Sequence, residues 1–168
     1  MIKVDKIISA TWIYTGEDQD KVLFDHSIAV SDQKILDIQP TIKAHEMYEA
    51  EETYQLSDHI LLPGLINAHT HSAMSLLKGY ADDLQLETWL NDYIWPAESK
   101  FVSYDFVLDG SELAIAEMIK GGTTTFNDMY FFPEATAKAV ENFGIRANIG
   151  LVVICLLYTS DAADEGLG

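Results

Sequence analysis

Cysteine is almost missing from this chain: of 168 residues, only Cys155 carries a thiol. A disulfide framework within the chain is therefore excluded, and so is a cysteine-based zinc finger. Basic residues are scarce as well. Ten Lys and Arg stand against 27 Asp and Glu, for a formal charge of −17, and such a field repels a phosphate backbone rather than binding it. Solubility is the plainer use of that charge. No apolar run approaches the roughly 20 residues that cross a bilayer, and the opening "MIKVDKIISATWIY" alternates where a signal peptide would be continuously apolar. These absences lead us to expect a cytoplasmic protein with neither a membrane nor a nucleic acid as partner. Any metal it holds must be bound by histidine and carboxylate. What is present is enough apolar material for a core, with 48% hydrophobic and 11% aromatic residues.

The first sixty residues read as short alternating segments, "KVDKIISA", "TWIYT" and "HSIAVSDQKILDIQP", with Ser31-Asp32-Gln33-Lys34 as a hairpin turn. They predict small antiparallel β structure. Residues 41 to 58 are polar and acidic, fitting either a short helix or an exposed connection. From Ile60 the pattern changes. "HILLPGLINA" predicts a buried strand, and "LQLETWLNDYIWPAESKF" and "SYDFVLDGSELAIAEMIK" carry apolar residues at helical spacing, the second stopping at Gly121-Gly122. "TTTFNDM" follows as a β-branched strand, "PEATAKAVENF" as a helix closed by Gly144, and "IRANIGLVVI" as a third strand. Strands separated by helices imply crossovers and a parallel sheet in an α/β fold. Three such strands are less than half of a (β/α) barrel, which takes about 250 residues.

Two histidines stand out. Alternate residues of a strand share a face, so His69 and His71 project together from the C-terminal end of the first parallel strand. Barrel enzymes keep their active sites at that end. Two imidazoles about 7 Å apart along a strand can converge on one ion, although zinc needs a third and usually a fourth ligand. From spacing alone, two solvated polar residues at a strand end are an equal alternative. Glu98, taken alone, is one more acid on a helix. Asp128 ends the second strand and reads as structural rather than facing the site; Arg146 begins the third, where a salt bridge is expected ahead of substrate contact, and neither residue is taken as a site candidate. His26, His45 and His59 lie in or beside the β region, outside the His-x-His pattern.

The block "LLPGLINAHTHSAMSLLKGYADD" resembles the first barrel strand of the amidohydrolase superfamily, apolar-Pro-Gly-apolar-apolar-(Asn/Asp)-x-His-x-His. The likeness continues through "WLNDYIWPAESKF", "ELAIAEMIKGGTTTFNDMY" and "NFGIRANIG". Together these segments are similar to methylthioadenosine and S-adenosylhomocysteine deaminases and to the triazine-type chlorohydrolases. The resemblance implies the first three strands of an incomplete (β/α)8 TIM barrel over 59–154, preceded over 1–58 by part of a small β-sandwich. It implies that His69 and His71 are metal ligands, with zinc as cofactor, and that Glu98 contacts the ribose of a small-molecule nucleoside substrate. It implies hydrolytic deamination of an adenine nucleoside thioether. Dechlorination or deamination of a triazine or pyrimidine is the nearest enzymatic alternative, and a non-catalytic α/β module is the reading from a different class. The remaining metal ligands and acid–base residues of the family match nothing here, so the segment by itself is expected to be inactive; the full-length protein is a possible homo-oligomer. Finally, "CLLYTSDAADE", Cys155 to Glu165, resembles a translated transposase adaptor of the kind used in sequencing libraries. Residues 155–168 are therefore expected to be a non-native tail, to be left out of fold reasoning.

Overall fold

The computed structural model describes residues 1–17 and 21–152. The tail expectation falls on 155–168, outside those residues. Chain contacts divide the protein into two units, Met1–Pro63 and Gly64–Gly168.

In the first unit, β1 (Ile2–Tyr14), β2 (Val22–Ser31), β3 (Lys34–Pro40) and β4 (Tyr48–Leu61) form one sheet in the order β3-β2-β1-β4, with the short helix α1 (Thr41–Met47) between β3 and β4. The hairpin falls where the turn residues place it. Asp32 and Gln33 take φ of 50° and 62°, the double left-handed conformation of a tight β turn whose twist matches its strands, and the Asp32 N–H donates to Asp5 Oδ2 at 2.8 Å. Two expectations are corrected. The sheet is mixed rather than antiparallel, because β4 runs parallel to β1. Residues 41–58 are neither helix nor connection throughout: only 41–47 are helical, and the acidic remainder belongs to β4, where Lys6 Nζ meets Glu52 Oε2 at 3.1 Å across the strands. The boundary drawn at residue 58 therefore falls inside a strand. Val4, Ile7, Ala29, Ala44 and Tyr48 form one part of the core, and Ala10, Ile13 and Ile28 the other.

The second unit holds a parallel sheet, β5-β6-β7, made of β5 (Leu65–Thr70), β6 (Thr123–Met129) and β7 (Arg146–Gly150). The alternation of strand and helix thus gives the α/β arrangement it predicted. "HILLPGLINA" does not form one buried strand, since Pro63-Gly64 divides it between β4 and β5 and Leu65 and Ile66 are 55% and 72% exposed. Proline withholds a ladder donor, and a Cβ on Gly64 would overlap the Thr124 side chain. After β5 comes a 3-10 turn (Ser72–Leu77). Next, α2 (Leu86–Thr88), a π-helical turn (Trp89–Ile94) and α3 (Trp95–Phe101) run on as one irregular helix. The wide turn ends where Pro96 enters: proline has no N–H to donate and its ring crowds the carbonyl four residues back, and here Trp95 N–H reaches five residues back to Leu90 O. Helix α4 (Tyr104–Lys120) starts on a Ser103 Oγ cap to Phe106 N and ends at Gly121; α5 (Pro133–Phe143) ends at Gly144 in the left-handed conformation.

Ile115, Phe126, Ala139 and Ile145 pack between sheet and helices. A buried chain of hydroxyls crosses this layer, Ser72 Oγ to Ser111 Oγ at 3.0 Å and Ser111 Oγ to Thr136 Oγ1 at 3.3 Å, tying the 3-10 turn to α4 and α5. Gly110 lets α4 lie against the 3-10 turn. A Cβ there would overlap the Ala73 carbonyl oxygen and come within 2.9 Å of Ala73 Cα. Gly110→Ala is therefore expected to destabilise the protein by about 1–3 kcal/mol through overpacking, despite alanine's better helix propensity. Denaturant unfolding measures it, and a gain in stability would show that α4 can slide.

Candidate metal centre

His69 lies on β5, and His71 follows one residue past the strand, at the start of the 3-10 turn. Strand alternation brings the two imidazoles together, with ring centroids 4.9 Å apart and planes edge-on at 82°. The His71 ring is further fixed by its contact with β6. Its Nδ1 lies 2.7 Å from the Met129 carbonyl oxygen. A carbonyl can only accept, so in the neutral ring Nδ1 bears the proton and Nε2 keeps its lone pair, the tautomer and orientation used by metal-ligating histidines. The donor set thus fits one half of a zinc site. Among the described residues, no cluster of three or more His, Cys, Asp or Glu side chains is placed to hold a metal.

Asp128, 1% exposed, holds the neighbouring backbone in place. Its Oδ1 accepts from Thr70 Oγ1 at 2.7 Å and from Ser72 N at 2.7 Å, the residues on either side of His71. The other oxygen, Oδ2, is buried with no hydrogen-bond partner among the described residues. Arg146 forms no ion pair among the described residues; its Nε donates to Thr125 Oγ1 at 3.1 Å, so the expected salt bridge is corrected to a hydrogen bond between neighbouring strands. His26 and His59 lie on β2 and β4, and His45 on α1, all in the first unit.

A cavity of about 630 Å³ opens beside His71, lined also by Met74, Trp89, Leu90, Ile94, Trp95, Glu98, Met129, Tyr130, Phe131, Leu151 and Val152. The irregular helix supplies five of these. They are Trp89, Leu90 and Ile94 of the π-helical turn and Trp95 and Glu98 of α3. The cavity is therefore apolar-walled with few polar groups, the usual make-up of a small-molecule site. Glu98 Oε1 accepts from the Tyr130 hydroxyl at 2.6 Å. Burial, reinforced by Glu98 and then by the charge of Asp128, pushes the Tyr130 phenol far above its ordinary range, so it remains a donor. Tyr130 was not singled out in the sequence, although its place two residues after Asp128 at a strand end is where a side chain returns to the same face.

The fold and this histidine pair define a class. The amidohydrolase family model matches residues 60–165, and the chain belongs to that family. It is 46% identical over 151 residues to the 5-methylthioadenosine/S-adenosylhomocysteine deaminase of Saccharophagus degradans, covering 89% of this chain and 34% of that protein. It is 50% identical over 130 residues to the 5'-deoxyadenosine deaminase of Methanosphaera stadtmanae, covering 77% and 30%. Among solved structures, it is similar to an adenosine deaminase from Xanthomonas campestris with bound zinc, at a TM-score of 0.83 and 43% identity over 87% of this chain and 33% of that one. It is also similar to the zinc complex of atrazine chlorohydrolase from Arthrobacter aurescens, at a TM-score of 0.71 and 25% identity over 87% and 35%. The chain thus spans about a third of the length of the proteins it matches.

Proposed function

We propose that this chain is the N-terminal part of a zinc-dependent aminohydrolase that deaminates an adenine nucleoside thioether, such as methylthioadenosine or S-adenosylhomocysteine. The observation that carries the reading is that a histidine with a pinned tautomer and a carboxylate line one apolar-walled cavity. In this reading β5, β6 and β7 are the first three strands of a (β/α)8 barrel, and the four-stranded sheet is part of a small β-sandwich. His69 and His71 hold the ion as two of its ligands. The chemistry a zinc ion supplies when bound is acidification of a water, from a pKa of 15.7 to about 7. The chain's own residues do the rest of the work assigned to this segment. The Met129 carbonyl keeps His71 Nε2 aimed, Trp89, Trp95 and Phe131 exclude solvent from around an apolar thioether, and Glu98 accepts from ribose hydroxyls.

The similarity to the atrazine chlorohydrolase keeps a triazine substrate as the second reading, supported at 25% identity against 43–50% for the deaminases named above. The two readings differ at Glu98. In the full-length protein, Glu98→Gln is expected to weaken ribosides by about 1–3 kcal/mol in kcat/KM, as a charge-assisted hydrogen bond is lost. Substrates without ribose hydroxyls are spared. An equal loss for both kinds of substrate would assign Glu98 to structure.

A further inference from the structure

We propose that Tyr130 is the positioning residue that sets the carboxylate of Glu98 for its hydroxyl contact, and so determines how strongly the site prefers ribosides over ribose-free analogues. The inference rests on the reading of Glu98 as the ribose ligand. Glutamate has three rotatable bonds and loses much side-chain freedom when it is fixed; a carboxylate that must meet vicinal hydroxyls gains from being fixed beforehand. The Tyr130 ring is well placed to do this. It is 6% exposed, packed with Ala73, Val107 and Ala135, and its hydroxyl donates to Glu98 Oε1 at 2.6 Å across 32 residues of sequence. A phenol offers one proton, so it occupies a single lone pair of Oε1 and leaves Oε2 to accept from a ligand. The same short segment serves the metal centre. Met129, the preceding residue, gives its carbonyl to His71, and the Tyr130 ring lies 6.4 Å from the His71 ring. Ribose recognition and the metal-side histidine are thereby set from adjacent residues of one strand end.

Packing alone needs the ring and not the hydroxyl, so Tyr130→Phe separates the two roles. The test uses the full-length protein, with 5'-methylthioadenosine and its 2',3'-dideoxy analogue as substrates, and reads the ratio of their kcat/KM. Both are measured on one preparation, so the ratio is independent of the folded fraction. Tyr130→Phe is expected to lower the ratio roughly tenfold, mainly through the KM of the riboside, with zinc content unchanged. Tyr130→Phe combined with Glu98→Gln is expected to be no worse than Glu98→Gln alone, because one residue acts through the other. An unchanged ratio in Tyr130→Phe, or losses that multiply in the double variant, overturns the inference and leaves the role of Glu98 standing. If Glu98→Gln itself leaves the ratio unchanged, the ribose reading fails and the inference falls with it.

Discussion

In the full-length protein, His69→Ala and His71→Ala are each expected to abolish zinc retention and ammonia release together. In the proposed reading each histidine contributes one nitrogen to an ion that takes four ligands in all, commonly three from protein in a catalytic site. Removing a partner that only orients a ligand costs about 10–100-fold in affinity or activity, so removing the ligand itself must cost more than that. The two variants need not fold equally well. His71 is half-buried and bonded to the Met129 carbonyl, whereas the His69 side chain is exposed, so His71→Ala is expected to lose some stability in addition. Metal analysis and an ammonia assay on the wild type and both variants decide the matter. A variant that stays active while losing its metal would overturn the zinc reading, and full retention of both would remove the histidines from the site.

Asp128→Ala is expected to produce the largest structural effect of any single polar substitution in the second unit. The carboxylate is wholly buried and receives two hydrogen bonds on a single oxygen. Thr70 has a second acceptor, the Asn127 carbonyl at 3.1 Å, so its hydroxyl can turn aside. The Ser72 N–H has no such alternative among the described residues and would be left buried, at a cost of about 1–3 kcal/mol. That amide directly follows His71, so its release loosens the backbone that aims the imidazole. Denaturant unfolding and zinc affinity are therefore expected to fall together. Asp128→Asn can still accept at Oδ1 and is expected to lose less of both. If the alanine variant proves as stable as the wild type, relief of Oδ2, which has no partner among the described residues, outweighs the lost bonds.

The part of the site carried by local pattern was readable in the sequence. Two-residue alternation brought His69 and His71 together, Gly121 and Gly144 closed the helices they were expected to close, and "TTTFNDM" is β6. What escaped was set by partners far along the chain. The acidic stretch 48–58 is a strand because it pairs with β1; its composition favours exposed structure, and strand preference depends on neighbours more than on intrinsic propensity. A salt bridge fits Arg146 better than substrate contact by its place at a strand start, and its neighbour is a threonine on the adjacent strand. The hydroxyl of Tyr130 gave no signal, because its acceptor belongs to a helix whose phase is shifted by the π turn before Pro96.

The bond from His71 to Met129 joins residues 58 apart, which ties the histidine's readiness to the order of events in folding. In the unfolded chain the imidazole interconverts between its tautomers. Selection of one waits on closure of the whole strand–helix–strand crossover, a non-local step that local helix formation precedes. If the pair holds an ion as proposed, its capture is coupled to completion of the parallel pairing between β5 and β6, and the energy of capture is returned to that pairing.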